Sequence, residues 1–228
     1  WKTVFILFPL EFGAFMLYLK ALKIAPLSLA FPFLGFTPIF SIFFARLMLG
    51  EVATLFGIMG VILITIGAYL LGMRDIRRGA LEPLTALSRE KGVLFMLAVA
   101  FIYGITSVLG KKAALISGPV SFVIVYYGLF FVGFSVLLVL RSKKSPVRYH
   151  KKEALTYCLL GASFALSMLL HFSAIVQANV PYVISVKRLS LVISVIFGWL
   201  VFKERNILFR LIGSLVILGG ALVLGFAE

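Results

Sequence analysis

Residues 120–140 read VSFVIVYYGLFFVGFSVLLVL, a stretch without a single charged side chain. A helix needs about 20 mostly apolar residues to cross the hydrocarbon core of a bilayer. The stretch is continuous and lacks the alternation of polar and apolar residues that marks a barrel strand. It therefore predicts a transmembrane α-helix, because only helices and closed barrels satisfy their backbone hydrogen bonds in lipid.

The composition of the whole chain agrees with that stretch. Of its 228 residues, 62% are hydrophobic and only 13% are charged, and the mean hydropathy is +1.15. A soluble domain is typically about 45–50% apolar and about 25% charged. The chain therefore has too little polar surface for a soluble or a disordered protein. Cys158 is its single cysteine, which excludes an internal disulfide.

Further apolar runs predict an all-α polytopic membrane protein with about eight transmembrane helices. We number these predicted spans from one to eight. They lie at about 3–22, 28–49, 54–72, 92–112, 120–140, 154–176, 181–202 and 206–226. Proline or glycine marks most of the junctions, and Pro181 suits the first turn of span seven.

The net charge of +14 does not indicate nucleic acid, because the basic residues lie in short linkers between apolar runs. Anionic lipid headgroups and membrane orientation explain such a pattern better. The linkers after spans one, three, five and seven share one face and hold most of the basic residues. This basic face is predicted to be cytoplasmic, with both ends of the chain on the other side.

A shift of 153 residues aligns two parts of the chain. Spans one to three match spans six to eight, and the matched pairs include Ala21 with Ala174, Glu51 with Glu204, Gly60 with Gly213, Ile64 with Ile217 and Gly67 with Gly220. Spans four and five have no partner, so we expect two five-helix repeats of which the first lacks two helices. Repeats with an odd number of helices are inverted in the membrane. Inverted repeats are typical of secondary transporters, whose substrate site lies near the midplane.

Several short stretches resemble the end of an EamA repeat of the drug/metabolite transporter superfamily. They are 21–28 (ALKIAPLS), 36–40 (FTPIF), 49–51 (LGE) and 57–60 (GIMG), and then 185–188 (SVKR), 202–204 (FKE) and 211–213 (LIG). The resemblance implies a ten-helix inverted-repeat fold. Residues 1–72 would be the last three helices of the first repeat, 73–91 a basic linker and 92–228 the complete second repeat. It also implies cytoplasmic termini, whereas the linker charges favour the reverse, so the orientation stays open.

Charged residues inside spans are rare and costly, and they are a functional hypothesis by default. Glu11 is about 13 Å deep in span one, and Lys187 and Arg188 are about 10 Å deep in span seven, at 1.5 Å per residue. Both spans enter from the same face, so the three charges share a layer. One cation could neutralise Glu11 while the other binds a substrate carboxylate or phosphate. The alternative is a structural ion pair with a snorkelling arginine.

Four further side chains reach the same layer, namely Tyr103, Tyr126, Tyr127 and His171. The tyrosines could line a cavity with an apolar wall and a hydroxyl tip, but core packing or an interfacial aromatic belt is the alternative for each. His171 could relay protons or could be a hydrogen-bonded interface histidine.

Pro38, together with Pro32 and Gly35, interrupts span two. Proline breaks the hydrogen-bond ladder of a helix, and broken helices near the midplane are what transporter sites use. A kink that serves only packing is equally compatible with the sequence. Glu51 and Glu204 begin spans three and eight, where an acid meets the positive end of the helix dipole.

Taken together, these features predict a multi-pass transporter of the plasma membrane and not an enzyme. It would move a small polar metabolite, such as an amino acid or one that carries an anionic group, by alternating access. The expected partners are this substrate and anionic lipid headgroups at the basic linkers, with no nucleic acid and with a homodimer left open. No metal or cofactor is expected, although Glu11 leaves proton coupling open. A lipid-headgroup flippase, a non-transporting scaffold and a degenerate fragment are the alternatives.

Overall fold

The computed structural model describes residues 2–25, 30–72, 89–141, 151–200 and 208–227. Several features named above lie outside these ranges. They are the end of the 21–28 stretch, residues 73–88 of the basic linker, the basic residues between 142 and 150, and the region around Glu204.

The described part of the chain is helical, and its helices follow the order of the eight predicted spans. The elements are α1 (Lys2–Ile24), a 3-10 segment (Phe31–Phe36), α2 (Thr37–Leu49), α3 (Leu55–Gly72), α4 (Lys91–Ser117), α5 (Pro119–Arg141), α6 (Lys151–Ile175), α7 (Val180–Lys187), α8 (Leu189–Leu200) and α9 (Leu208–Gly225). Six helical spans are long and apolar enough to cross a membrane, and two shorter apolar helices lie at Leu55–Leu71 and Arg210–Gly225. The predicted all-α polytopic fold is confirmed.

Span four is longer than the hydropathy indicates. Helix α4 continues to Ser117 and ends at Gly118, whose φ of 79° is a left-handed conformation that glycine adopts without strain. Lys111, near the predicted end of span four, is well inside the helix and is buried. Lys112, its neighbour, is exposed.

Spans two and seven are each interrupted. Span two begins as the 3-10 segment and becomes α2 at Thr37, as Pro32 and Pro38 lead one to expect. Span seven divides at Arg188 into α7 and α8, although no proline lies at that point. Gly35 and Arg188 are 153 positions apart, so the two interruptions occur at equivalent places of the repeat.

Helices α3 and α9 pack backbone against backbone through two pairs of glycines. A Cβ atom on Gly60 would lie 2.9 Å from the carbonyl oxygen of Gly220, and one on Gly67 would lie 2.7 Å from that of Gly213. Because Gly60 matches Gly213 and Gly67 matches Gly220 under the 153-residue shift, exchanging the two repeats leaves the contact unchanged. Small residues of this kind let helices approach closely in lipid.

The aromatic contacts of α1 place the charged layer in the bundle. Phe12 packs against Phe130 and Phe134 of α5, with ring centroids 5.8 and 5.1 Å apart. Gly133 makes room for this contact, since a Cβ atom there would lie 3.1 Å from the Phe12 ring. Helix α5 is thereby held beside the part of α1 that carries Glu11.

Candidate functional site

Glu11 is held by a tyrosine of α5. The hydroxyl of Tyr126 donates a hydrogen bond of 2.7 Å to Oε2 of Glu11. Tyr126 is completely buried and stacks on Phe122, with ring centroids 5.0 Å apart and an interplanar angle of 14°. Its hydroxyl is therefore committed to the carboxylate, and the main role of Tyr126 in the layer is to fix Glu11 in place.

Lys187 is the last residue of α7 and its side chain is exposed. Its charge interacts with that of Glu11, yet the two side chains do not form a direct ion pair. The ion pair observed in the described part of the chain joins Lys111 and Glu51 instead. The expectation that a cation of span seven neutralises Glu11 by contact is therefore not met, and a gap separates the carboxylate from the ammonium.

Arg188 lies between α7 and α8 and turns toward the other interrupted span. Its Nη2 donates a hydrogen bond of 2.8 Å to the carbonyl oxygen of Leu34 in the 3-10 segment. The hydroxyl of Thr37 donates to the same carbonyl oxygen at 2.8 Å. Lys187 and Arg188 thus point in different directions, as the angle of about 100° between neighbouring helical residues requires.

Two buried polar atoms at this interruption lack hydrogen-bond partners among the described residues. They are Nε of Arg188 and Oγ of Ser185, and Ser185 is completely buried. Residues three apart lie on one face of a helix, so both groups are presented on one side of α7. An unpaired buried polar group costs free energy, and this makes the end of α7 a candidate ligand site. The sequence analysis missed Ser185, although its spacing from Arg188 is a usable signal.

Tyr103, Tyr127 and His171 surround the same layer. The charge of Glu11 acts on both tyrosines, and that of Lys187 acts on His171. The hydroxyl of Tyr127 donates to the sulfur of Met168 at 2.9 Å. The ring of His171 packs edge-on against an aromatic neighbour, with centroids 5.1 Å apart. Tyr127 also packs edge-on against Tyr126, with ring centroids 5.5 Å apart, and so lies beside the tyrosine that holds Glu11.

Pro38 has a different position from the rest of the predicted set. It is the second residue of α2 and is buried, and its carbonyl oxygen accepts a hydrogen bond of 2.7 Å from the hydroxyl of Ser41. At the interruption, the carbonyl oxygen of Leu34 accepts from the backbone N–H of Thr37 as well as from side chains. The carbonyl of Gly35 accepts a hydrogen bond of 3.2 Å from the hydroxyl of Thr65 in α3. Both carbonyl groups are therefore satisfied, and Pro38 serves to start α2.

The contacts of Glu51 differ most from those expected of a residue that begins span three. It lies in the turn before α3, and its Oε2 accepts a hydrogen bond of 2.8 Å from the backbone N–H of Val180, the first residue of α7. Its Oε1 forms an ion pair of 2.5 Å with Nζ of Lys111, which also donates to the carbonyl oxygen of Ala178 at 2.7 Å. Glu51 thus caps a helix of the other repeat.

The start of α3 is capped by a different residue. The hydroxyl oxygen of Thr54 accepts a hydrogen bond of 3.1 Å from the backbone N–H of Gly57, as an N-cap side chain does. The hydroxyl of Tyr182 in α7 accepts a hydrogen bond of 3.0 Å from the backbone N–H of Thr54. The turn before α3 is therefore bound to α7 at two points.

These features define a class of protein. Membrane-crossing helices, two interrupted spans that meet at their interruptions, and a charged layer beside them are the arrangement of a secondary transporter. The model of the EamA-like transporter family matches residues 1–73 and 90–226. The chain therefore belongs to the EamA-like transporter family, and it is a membrane transporter of the drug/metabolite transporter superfamily. A comparison with curated proteins found no match.

Proposed function

We propose that the transported substrate is a small polar metabolite whose anionic group binds at Lys187. The observation that carries this proposal is an ammonium group at membrane depth without a direct partner among the described residues. A carboxylate or phosphate would pair with this ammonium, and charge-assisted hydrogen bonds of this kind are the strong ones. The next residue, Arg188, carries a buried Nε without a partner among the described residues.

Glu11 narrows the class of substrate. Its carboxylate and the Lys187 ammonium attract each other across a gap that neither side chain closes. A ligand with an ammonium group and a carboxylate would place each of its charges beside the opposite charge of the protein. An amino acid or a similar zwitterion therefore fits the layer better than a simple anion does. Glu11 is also the group on which a proton gradient would act if transport is coupled to protons.

The proposed mechanism is alternating access between the two repeats. Two features support it. The contact of Gly60 with Gly220 and of Gly67 with Gly213 is unchanged when the repeats are exchanged, and the interruptions of spans two and seven meet at Arg188 and Leu34. In inverted-repeat transporters one repeat rocks against the other around a fixed midplane site.

A ligand screen with matched variants tests the proposal. The full-length protein in detergent would be heated with amino acids, organic acids, sugar phosphates and nucleotide sugars, and its Tm recorded. A ligand that raises the Tm should do so in Lys112→Gln, because Lys112 is an exposed residue of α4, and should lose the effect in Lys187→Gln. Equal stabilisation of wild type and Lys187→Gln by every active ligand would overturn the proposed site.

A further inference from the structure

One end of the bundle carries a polar network that joins the two repeats, and we call it the latch. Its members are Glu51, Lys111, Ala178 and Val180. The side chains of Lys111 and Glu51 are only 10% and 12% exposed. Glu51 belongs to the first predicted repeat, and the other members belong to the second. The latch lies on the face opposite the basic face, because α1 ends and α4 begins at the basic face.

The latch holds a short helix that is separate from its neighbour. Helix α7 has eight residues and is divided from α8 at Arg188. Its first N–H is bound by Glu51, and its Tyr182 is bound to the turn before α3. Lys187 lies at its other end, about 10 Å away at 1.5 Å per residue. A displacement of the start of α7 would therefore be transmitted to the proposed anion site.

The chemistry of the latch suits a contact that forms and breaks. A buried ion pair is weak evidence for stability, because desolvation offsets the Coulomb attraction. When the face opens, water solvates both charges. Separating this ion pair therefore costs less free energy than exposing a comparable apolar contact to water. A dry apolar junction would serve equally well if the repeats never separated at this end.

We propose that the Glu51–Lys111 pair is a gate lock that holds the two predicted repeats together at this face and releases α7 when they separate there. The inference rests on the alternating-access mechanism proposed above. In this role, Glu51 couples the position of α7 to the closure of the face.

Cysteine accessibility tests the lock without any substrate. Cys158 is exposed and would be replaced by serine, and Ser185, which is completely buried, would become the reporter as Ser185→Cys. A membrane-impermeant maleimide would be added to one side of sealed vesicles. That side is the one from which a separate Lys112→Cys variant is labelled. Glu51→Gln and Lys111→Met should each raise the labelling rate of the reporter by about tenfold or more, because each leaves its buried partner unpaired.

Two further variants make the result decisive. Glu90→Gln removes a carboxylate at the start of α4 that makes no capping hydrogen bond, and the labelling rate should stay at the wild-type value. Glu51→Asp keeps the charge but is one methylene shorter, so it should fold and give an intermediate rate. The lock would be overturned if Glu51→Asp and at least one of Glu51→Gln and Lys111→Met fold and are labelled at the wild-type rate. Failure of the ligand screen with a raised labelling rate would overturn only the proposed substrate.

Discussion

Arg188 donates a hydrogen bond of 2.8 Å to the carbonyl oxygen of Leu34, and this bond joins the interruption of one span to that of the other. The two residues lie 154 positions apart, one in each repeat. The same carbonyl oxygen also accepts from the backbone N–H and the hydroxyl of Thr37, so Arg188 adds a donor from the other interrupted span. The Nε of Arg188 is buried and has no partner among the described residues.

Arg188→Lys should lower the affinity for an anionic substrate by about tenfold or more. The lysine retains the charge and can reach the carbonyl of Leu34, but one ammonium does not replace the several fixed donors of a guanidinium. Isothermal titration with a ligand from the screen would measure the change in Kd. A Kd for Arg188→Lys equal to that of the wild type would show that Arg188 serves only to bind Leu34.

Tyr126→Phe should destabilise the protein by about 1–3 kcal/mol, which is typical when a buried group loses its hydrogen-bond partner. The matched control is Tyr127→Phe, since the Tyr127 hydroxyl donates to a sulfur, a weak acceptor, and its loss should cost less. The double variant Tyr126→Phe with Glu11→Met should be less destabilised than the sum of the two single changes, because each single change removes the same bond. Additive losses in thermal unfolding would argue against this role for Tyr126.

Gly60→Ala and Gly220→Ala should each reduce stability by about 1–3 kcal/mol, the usual cost of overpacking. At both positions the new Cβ atom would lie 2.9 Å from the carbonyl oxygen of the partner helix. Gly219→Ala is a close control, because nothing lies within 4 Å of a Cβ atom there. Size-exclusion chromatography after a series of heating steps would compare the three. A loss in Gly219→Ala equal to the losses in the other two variants would contradict the packing argument, because alanine favours a helix more than glycine does.

Hydropathy located the spans well because burial in lipid depends on local composition, which one stretch of sequence contains. The division of span seven at Arg188 was not predictable in this way, since no proline marks it and its cause includes a contact with Leu34 in the other repeat. The same limit applies to Glu51. Its partner Val180 is 129 positions away, and the local sequence indicated only the nearer start of α3.

The substrate class can be decided by how Glu11→Gln changes the Kd of two ligands, an amino acid and the corresponding deaminated organic acid. Tyr126 can still donate to the amide oxygen of the glutamine, so the variant should keep its structure while losing the negative charge. An amino acid should then bind about tenfold more weakly or worse, because its ammonium loses a buried opposite charge. The deaminated organic acid should bind more tightly, because the carboxylate of Glu11 no longer repels it across the gap.

The Kd of both ligands would be measured in wild type and variant at one pH and one ionic strength. Opposite changes would support a zwitterionic substrate that spans Glu11 and Lys187. A parallel change in both Kd values would mean that Glu11 acts on the site through its structure, and the anionic group alone would then define the substrate.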